Sequence, residues 1–165
     1  SDGCLKMLLL IFYVNKERYG IDCRKIIEVT PYVSFKPVPH APLYVVGLLN
    51  YRGGIVPVVD LSALIGGAPC RPLLSTRIIL VQYAAADERE HILGLLAERV
   101  TETLKCREED FNQPGIVTSE GPYLGDLFVD EEGMVQRVVV EAVLPEELRK
   151  SLFTENEGAD GLSRN

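Results

Sequence analysis

The chain has only two histidines, His40 and His91, and none of its cysteines stands at CxxC or CxxH spacing. The four cysteines, Cys4, Cys23, Cys70 and Cys106, lie far apart. Structural zinc sites take their ligands in close pairs from a turn, so no metal is expected. Basic residues are also few: 17 lysines and arginines face 24 acids, a net charge of −7. Nucleic-acid binders draw most of their affinity from a basic stripe, so neither nucleic acid nor an anionic membrane surface is an expected partner. The longest apolar run, Met7–Val14, falls well short of the roughly 20 residues that span a bilayer, and direct membrane insertion is not expected. Lys6 gives that run the look of a signal-peptide core. Asn15, Lys16, Glu17 and Arg18 follow it where a small-residue cleavage site would stand, which argues against a signal. Scattered thiols without a secretory signal suggest a reducing cytoplasm.

Catalytic constellations are missing as well. Gly53-Gly54 and Gly66-Gly67 match neither the dinucleotide nor the P-loop pattern. His40 sits between Pro39 and Ala41 and His91 in a charged stretch, neither beside a serine or cysteine. The acidic pairs Glu108-Glu109 and Glu131-Glu132 read as solvated turns. These absences predict a binding module that is not an enzyme and carries no cofactor.

Strand signals dominate what is present. Met7–Val14 and Arg18–Asp22 flank a polar turn and predict a hairpin. Val29–Val38 is rich in β-branched and aromatic residues but holds Pro31 and Pro37, which suits an edge or irregular strand. The stretch His40–Asn50, entered through Pro39, Ala41 and Pro42, is expected to form a short helix. Ile55–Leu61 reads as a strand, Ser62–Ile65 as a helical turn, and Arg77–Tyr83 and Ile92–Leu104 as strands about a charged loop at Asp87–His91. After a loop at Gly115–Pro122, Leu124–Val129 and Met134–Val140 form a second hairpin around Asp130–Gly133. Pro145–Phe153 opens on proline and glutamates and closes near Arg149 and Lys150, as a helix and its dipole favour. Residues 154–165 are polar, with no periodic apolar face, and read as a mobile tail.

The sequence also echoes itself. Gly20-Ile21 is followed by Ile26, Glu28 and Val29; Gly94-Leu95 is followed at the same offsets by Val100, Glu102 and Thr103. An apolar strand precedes each, Leu8–Tyr13 and Ile78–Tyr83. Either the amphipathic strands are alike by chance, or the chain holds two related β subdomains, about 7–68 and 75–144. Short strands with frequent glycine and proline suit closed barrels.

The densest segment runs from Gly47 to Leu61. Arg52 precedes a strongly apolar strand; it is either a solvated turn residue or the partner of a carboxylate, for which Glu28 is the candidate. Asn50 is of a type that bonds its own backbone at a turn. Gly47, Asn50, Arg52, Gly53, Pro57, Val58, Asp60 and Leu61 together resemble the G-x-x-N-x-R-G-x-x-x-P-V-x-D-L hallmark of the chemotaxis coupling protein family, CheW. Tyr19-Gly20-Ile21-Asp22, with Ile26, Glu28 and Val29 after it, resembles the family's second strand and following turn. The likeness covers about residues 7–153 and is looser in the second half. There Ala97-Glu98 stands where the family often has Val-Asp, and Val138-Val139-Val140-Glu141 only approximates the usual last strand.

The resemblance implies an all-β fold of two five-stranded SH3-like barrels packed together, with short helices at a junction and at the C-terminus. It implies a non-enzymatic, monomeric, cytoplasmic adaptor that couples a chemoreceptor cytoplasmic tip to the regulatory domain of a CheA-like histidine kinase. Cys23, Ile26, Glu28, Gly47, Arg52, Gly94 and Thr103 fall at or near the receptor face by motif alignment, and the family ties the arginine matching Arg52 to the glutamate matching Glu28. Gly47 would let a receptor helix approach closely, so that a side chain there would block docking and spare the fold. A docking segment of a larger kinase or receiver-bearing protein, or a small-barrel domain of unrelated function, are the alternatives.

Overall fold

A computed structural model describes residues 6–84, 89–113 and 121–152 of the chain. Nine strands carry the fold: β1 (Lys6–Val14), β2 (Glu17–Asp22), β3 (Ile26–Pro31), β4 (Val45–Tyr51), β5 (Gly54–Asp60), β6 (Arg77–Ala84), β7 (Glu90–Arg107), β8 (Leu124–Asp130) and β9 (Gly133–Val138). Helix α1 (Leu61–Gly66) follows β5, and helix α2 covers 146–152. The hairpin turns use the residues their backbones demand. Asn15 takes φ +58° between β1 and β2, and Arg52 and Gly53 take +51° and +81° between β4 and β5. Positive φ at both central positions matches the twist of a tight hairpin; glycine does this freely, arginine at a cost.

The strands form two five-membered groups that share β7. One runs β7–β1–β2–β9–β8, with β2 and β9 parallel. The other runs β3–β6–β7–β5–β4, with β5 and β7 parallel. Glu90–Ala97 of β7 pairs with β6; Glu98–Arg107 pairs with β1. Arg99, at φ +54°, lies just past the crossing from one sheet to the other.

The two stretches of the echo occupy equivalent places in the two sheets, and strands cross between them. Gly20 of β2 pairs with β1 on one side and parallel β9 on the other. Gly94 of β7 has the same surroundings, β6 and parallel β5. The strand that follows each copy, β3 or the second half of β7, crosses to pair with the other copy's first strand. The sheets thus do not follow the halves 7–68 and 75–144. β1 and β2 complete their sheet with β8 and β9, whereas β3, β4 and β5 join β6 and β7, so the two halves cannot separate without opening both sheets.

Apolar packing falls into three groups. Met7, Leu9, Ile11, Cys106 and Val135 fill the first sheet's own core. Val56, Val58, Ile78, Leu80 and Leu96 fill the second's. Between the sheets lies the largest group, including Phe12, Ile21, Leu61, Ile79, Val81 and Tyr83, closed by Leu152 of α2. Strand β6 alternates between two of these cores, which is why Ile78–Val81 is apolar without interruption and fully buried.

The structure corrects several local expectations. Val45–Asn50 is strand, not helix: paired valines at 45 and 46 favour extended chain, and β5 supplies a ladder partner along its length. Glu90 and His91, expected in a loop, already belong to β7 opposite Ala84 and Tyr83. The last hairpin strand stops at Val138, and Val140–Ala142 turns as a 3-10 helix. The expected loop over 115–120, the end of α2 at 153 and the tail 154–165 lie outside the described residues.

Candidate functional site

The hallmark segment forms β4, its turn and β5, and most of its residues have a structural reason. Asp60 is 1% exposed; its Oδ1 accepts from the Ala63 backbone N–H at 3.1 Å and its Oδ2 from that of Cys70 at 2.8 Å. It caps α1 and pins the loop that follows. Pro57 lacks an N–H, and β5 meets β7 only over Val58–Asp60, so at Pro57 one side of the strand needs no donor. Asn50 belongs to β4, opposite Ile55, and its exposed side chain makes no hydrogen bond to the turn among the described residues.

Glu28 and Arg52 meet at the open side of the second sheet. Arg52 Nη2 donates to Glu28 Oε1 at 3.0 Å, and the Tyr51 hydroxyl donates to the same oxygen at 3.0 Å. The Arg52 guanidinium also lies over the Tyr51 ring, 5.1 Å from its centre. The left-handed backbone at Arg52 turns its side chain back across the sheet end to β3. Arg52 is 73% exposed and Glu28 38%, so this is a surface pair. Burial, then the Glu28 contact, push the Tyr51 hydroxyl above its usual range. Tyr51 is a member of the cluster that motif reading missed; an aromatic beside a paired arginine was the available signal.

The remaining candidates divide by burial. Cys23 sits half-buried in the 3-10 turn Cys23–Lys25, its thiol pushed up by burial and by nearby Asp22. Ile26 is half-buried and packs on the core between the sheets. Thr103 is exposed on β7, directly across from Leu10. Gly94 is buried: a Cβ there would stand 3.0 Å from Val58 Cγ2 and 3.4 Å from Ile78 Cγ2.

Gly47 differs from expectation. It has φ +150°, and a Cβ would collide with the Lys36 carbonyl oxygen and come within 2.8 Å of Phe35 Cβ. Lys36 and Leu48 exchange backbone hydrogen bonds of 2.9 and 2.7 Å at this point. The close approach that Gly47 permits is therefore made by this chain's own backbone. A side chain there strains the fold, contrary to the view of Gly47 as a free probe of docking.

Strand β3 and the chain after it also carry an exposed apolar strip that the sequence did not single out. Ile27, Val29, Tyr32 and Val33 of β3 and the chain after it are 38–46% exposed. Neighbouring exposed apolar residues of this kind mark an interaction surface. The prolines and β-branched residues of 29–38 gave the edge character but not the exposure. In the second half Glu98 is 7% exposed and accepts from the Arg71 backbone at 3.0 Å and from Arg71 Nε at 2.8 Å, so the Ala97-Glu98 departure keeps an anchored acid. Among the described residues no group of three His, Cys, Asp or Glu side chains is arranged for a metal, and no helix is long and apolar enough to cross a membrane.

A mostly β chain with an exposed apolar strip and a surface ion-pair cluster defines a binding module, of the adaptor class. The CheW-like domain model matches residues 8–148. The chain is 28% identical to chemotaxis protein CheW of Rhizobium meliloti over 145 residues, 87% of this chain and 90% of that protein. It is 25% identical to the probable chemotaxis protein CheW of Rhizobium etli over 140 residues, 84% and 87% of the two chains. The crystal structure of scaffolding protein TtCheW from Thermoanaerobacter tengcongensis shares the fold, with a TM-score of 0.74 at 24% identity over 86% of this chain and 89% of that one. The chain belongs to the CheW-like domain family. It is a non-enzymatic chemotaxis adaptor that couples receptors to a kinase.

Proposed function

We propose that the chain grips a chemoreceptor cytoplasmic tip along β3 and holds a CheA-like kinase regulatory domain on a separate face. The observation that carries the receptor reading is the exposed strip Ile27, Val29, Tyr32 and Val33 together with the Glu28–Tyr51–Arg52 cluster. A helix docks through spaced apolar anchors, and in this reading the ionic cluster on the other face of β3 holds the β4–β5 turn in place. The reading extends to Cys23, Ile26 and Thr103, and to Gly47 and Gly94, whose missing side chains let backbone and strands pack closely. The SH3-like barrel reading is supported by the separate core within each sheet. It is also supported by the bridges Lys36–Leu48 and Asn112–Leu127, which return the chain beyond one end strand to the opposite end of each sheet. In this reading residues 7–153 work as one cytoplasmic, monomeric unit.

The test is to measure the affinities of Val29→Lys for a receptor-tip fragment and for the kinase regulatory domain. Val29 is 40% exposed, so the fold tolerates lysine there. Receptor affinity falls at least tenfold and kinase-domain affinity is unchanged. Unchanged receptor affinity in the folded variant refutes the assignment of β3.

A further inference from the structure

We propose that, on the reading of β3 as the receptor-gripping strand, Tyr51 is the positioning residue of that surface: its hydroxyl holds Glu28 and so sets β3 in its docking conformation before a receptor arrives. The hallmark leaves position 51 open, so this is a feature of the chain beyond the family pattern. Strand β3 needs such a hold. Among the described residues it has a ladder partner on one side only, β6, and that ladder shifts register between Ile26 and Glu28, leaving Ile27 in a bulge. A bulge leaves its extra residue unpaired and bends the strand. The sheet alone therefore fixes Ile27 and Val29, the exposed residues on either side of Glu28, only weakly. Side chains alternate along a strand, so Val29 points away from the face that Glu28 occupies. A clasp on Glu28 holds the strand without covering the strip.

The two donors to Glu28 Oε1, Arg52 Nη2 and the Tyr51 hydroxyl, both stand at 3.0 Å, yet they are not equivalent. Arg52 lies in the turn at φ +51° and is largely exposed, so salt screens its attraction to Glu28 in the free chain. Its guanidinium leans on the Tyr51 ring. Tyr51 belongs to β4, paired with Gly54, and its ring packs against the second sheet's core. A ring already fixed by strand and core loses little further freedom when its hydroxyl bonds, whereas an exposed arginine loses much. The hydroxyl is neutral, and burial, then the Glu28 contact, hold its proton on above the usual tyrosine range. It therefore remains a donor at physiological pH, and its bond depends little on ionic strength. Tyr51 is the fixed post, and Arg52 reinforces it at low salt. Setting the binding conformation beforehand raises affinity, because less order is lost on docking.

Tyr51→Phe deletes only the hydroxyl and tests this in the full chain. Its affinity for a receptor-tip fragment is measured at about 50 mM and about 500 mM salt, which span weak and strong screening. At low salt, where Arg52 still holds Glu28, the variant binds within about threefold of the parent. At high salt it binds at least about tenfold more weakly, as the loss of one hydrogen bond to a charged group provides. In a Glu28→Ala background the same change has no further effect, because Tyr51 acts through Glu28. Affinity for the kinase regulatory domain is unchanged at both salts. Hydrogen exchange of β3 gives a readout that needs no receptor, and at high salt it is several-fold faster in Tyr51→Phe than in the parent. Parental affinity at high salt, a loss of equal size at both salts, parental exchange of β3, or a loss that persists in Glu28→Ala overturns the assignment of Tyr51. Weaker receptor binding by Val29→Lys in the same series then leaves the β3 reading standing without Tyr51. Unchanged receptor binding by Val29→Lys removes the β3 reading and the role of Tyr51 together.

Discussion

Arg52 and Glu28, 24 residues apart in sequence, share one hydrogen bond of 3.0 Å that ties the β4–β5 turn to β3. The carboxylate oxygen that receives it also receives Tyr51. Because both partners are substantially exposed, water and salt screen the pair, and its contribution to stability is small. A double-mutant cycle on Arg52→Ala and Glu28→Ala should give a coupling of at most about 1 kcal/mol in thermal unfolding. The same cycle read by receptor affinity should give a larger coupling, since docking removes water from the pair. Equal coupling in both measurements would mean that the pair is structural only.

Gly47 makes the opposite prediction. Both its φ of +150° and the Lys36 backbone beside it exclude a side chain. Gly47→Ala should destabilise the fold by at least about 1–3 kcal/mol, and Gly47→Asp by more. Loss of receptor binding by such a variant would then report a disturbed β4, not a blocked contact. Native-like melting of Gly47→Ala would contradict this.

The sequence carried the local decisions well where side chains make them alone. The strands β1, β2, β5, β6 and β8 lie where their alternating or unbroken apolar runs place them, and the Glu28–Arg52 partnership was one of two open readings of Arg52, chosen by the family resemblance. The strand exchange was not legible. Leu8–Tyr13 has the same donors and acceptors toward β3 as toward β7, and only the folded whole decides which one lies there. Val45–Asn50 misled because proline and alanine ahead of it mimic a helix entry, while its true partner, β5, lies beyond a turn. Gly47 was read as making room for a ligand when it makes room for Lys36, a contact set by long-range closure.

Asp60 offers a sharper stability test than the exposed pair. Its two oxygens serve two backbone donors in a nearly solvent-free site. Asp60→Ala removes an N-cap, costing roughly 1–2 kcal/mol, and leaves the Cys70 N–H without its acceptor, costing roughly 1–3 more. Asp60→Asn, which keeps an oxygen for α1, should fall between the variant and the parent. Urea denaturation checks the order, and an alanine variant as stable as the asparagine one would remove Asp60 from its capping role.

Acid should unfold the chain through three depressed carboxyls. Arg18 holds Asp130 below the usual carboxylate range against burial. For Asp22 and Glu98 burial pushes upward, and the bonds from Arg24 and Arg71 outweigh it. A carboxyl lowered in the fold adds stability that is fully present above its unfolded pKa, near 4, and is lost as pH falls through the folded value. The melting temperature should be flat from pH 7 to about 5 and drop below about 4. Asp130→Asn should melt lower at pH 7 and lose less on acidification; an undiminished acid loss would exclude Asp130 as a contributor.

The cysteines give a test of burial that needs no partner protein. Burial pushes the Cys70 thiol up to about 12, with Ser62 Oγ 3.3 Å away as its hydrogen-bond partner, and the Cys106 thiol up to about 11. At pH 8 a thiol of pKa 12 is ionised in about one molecule in ten thousand, and the thiolate is the reactive form. Cys106 is besides only 5% exposed, packed among Met7, Leu9 and Val135. Cys23 is raised as well, but it sits half-buried in a surface turn. In a Cys4→Ser background, iodoacetamide at pH 8 followed by mass spectrometry should mark Cys23 first. Cys106 should react only at the rate of global unfolding, Cys70 should react more slowly than Cys23 because its thiol is held protonated, and all three should become equal in urea. Labelling of Cys70 as fast as Cys23 in the native protein would contradict the raised Cys70 thiol.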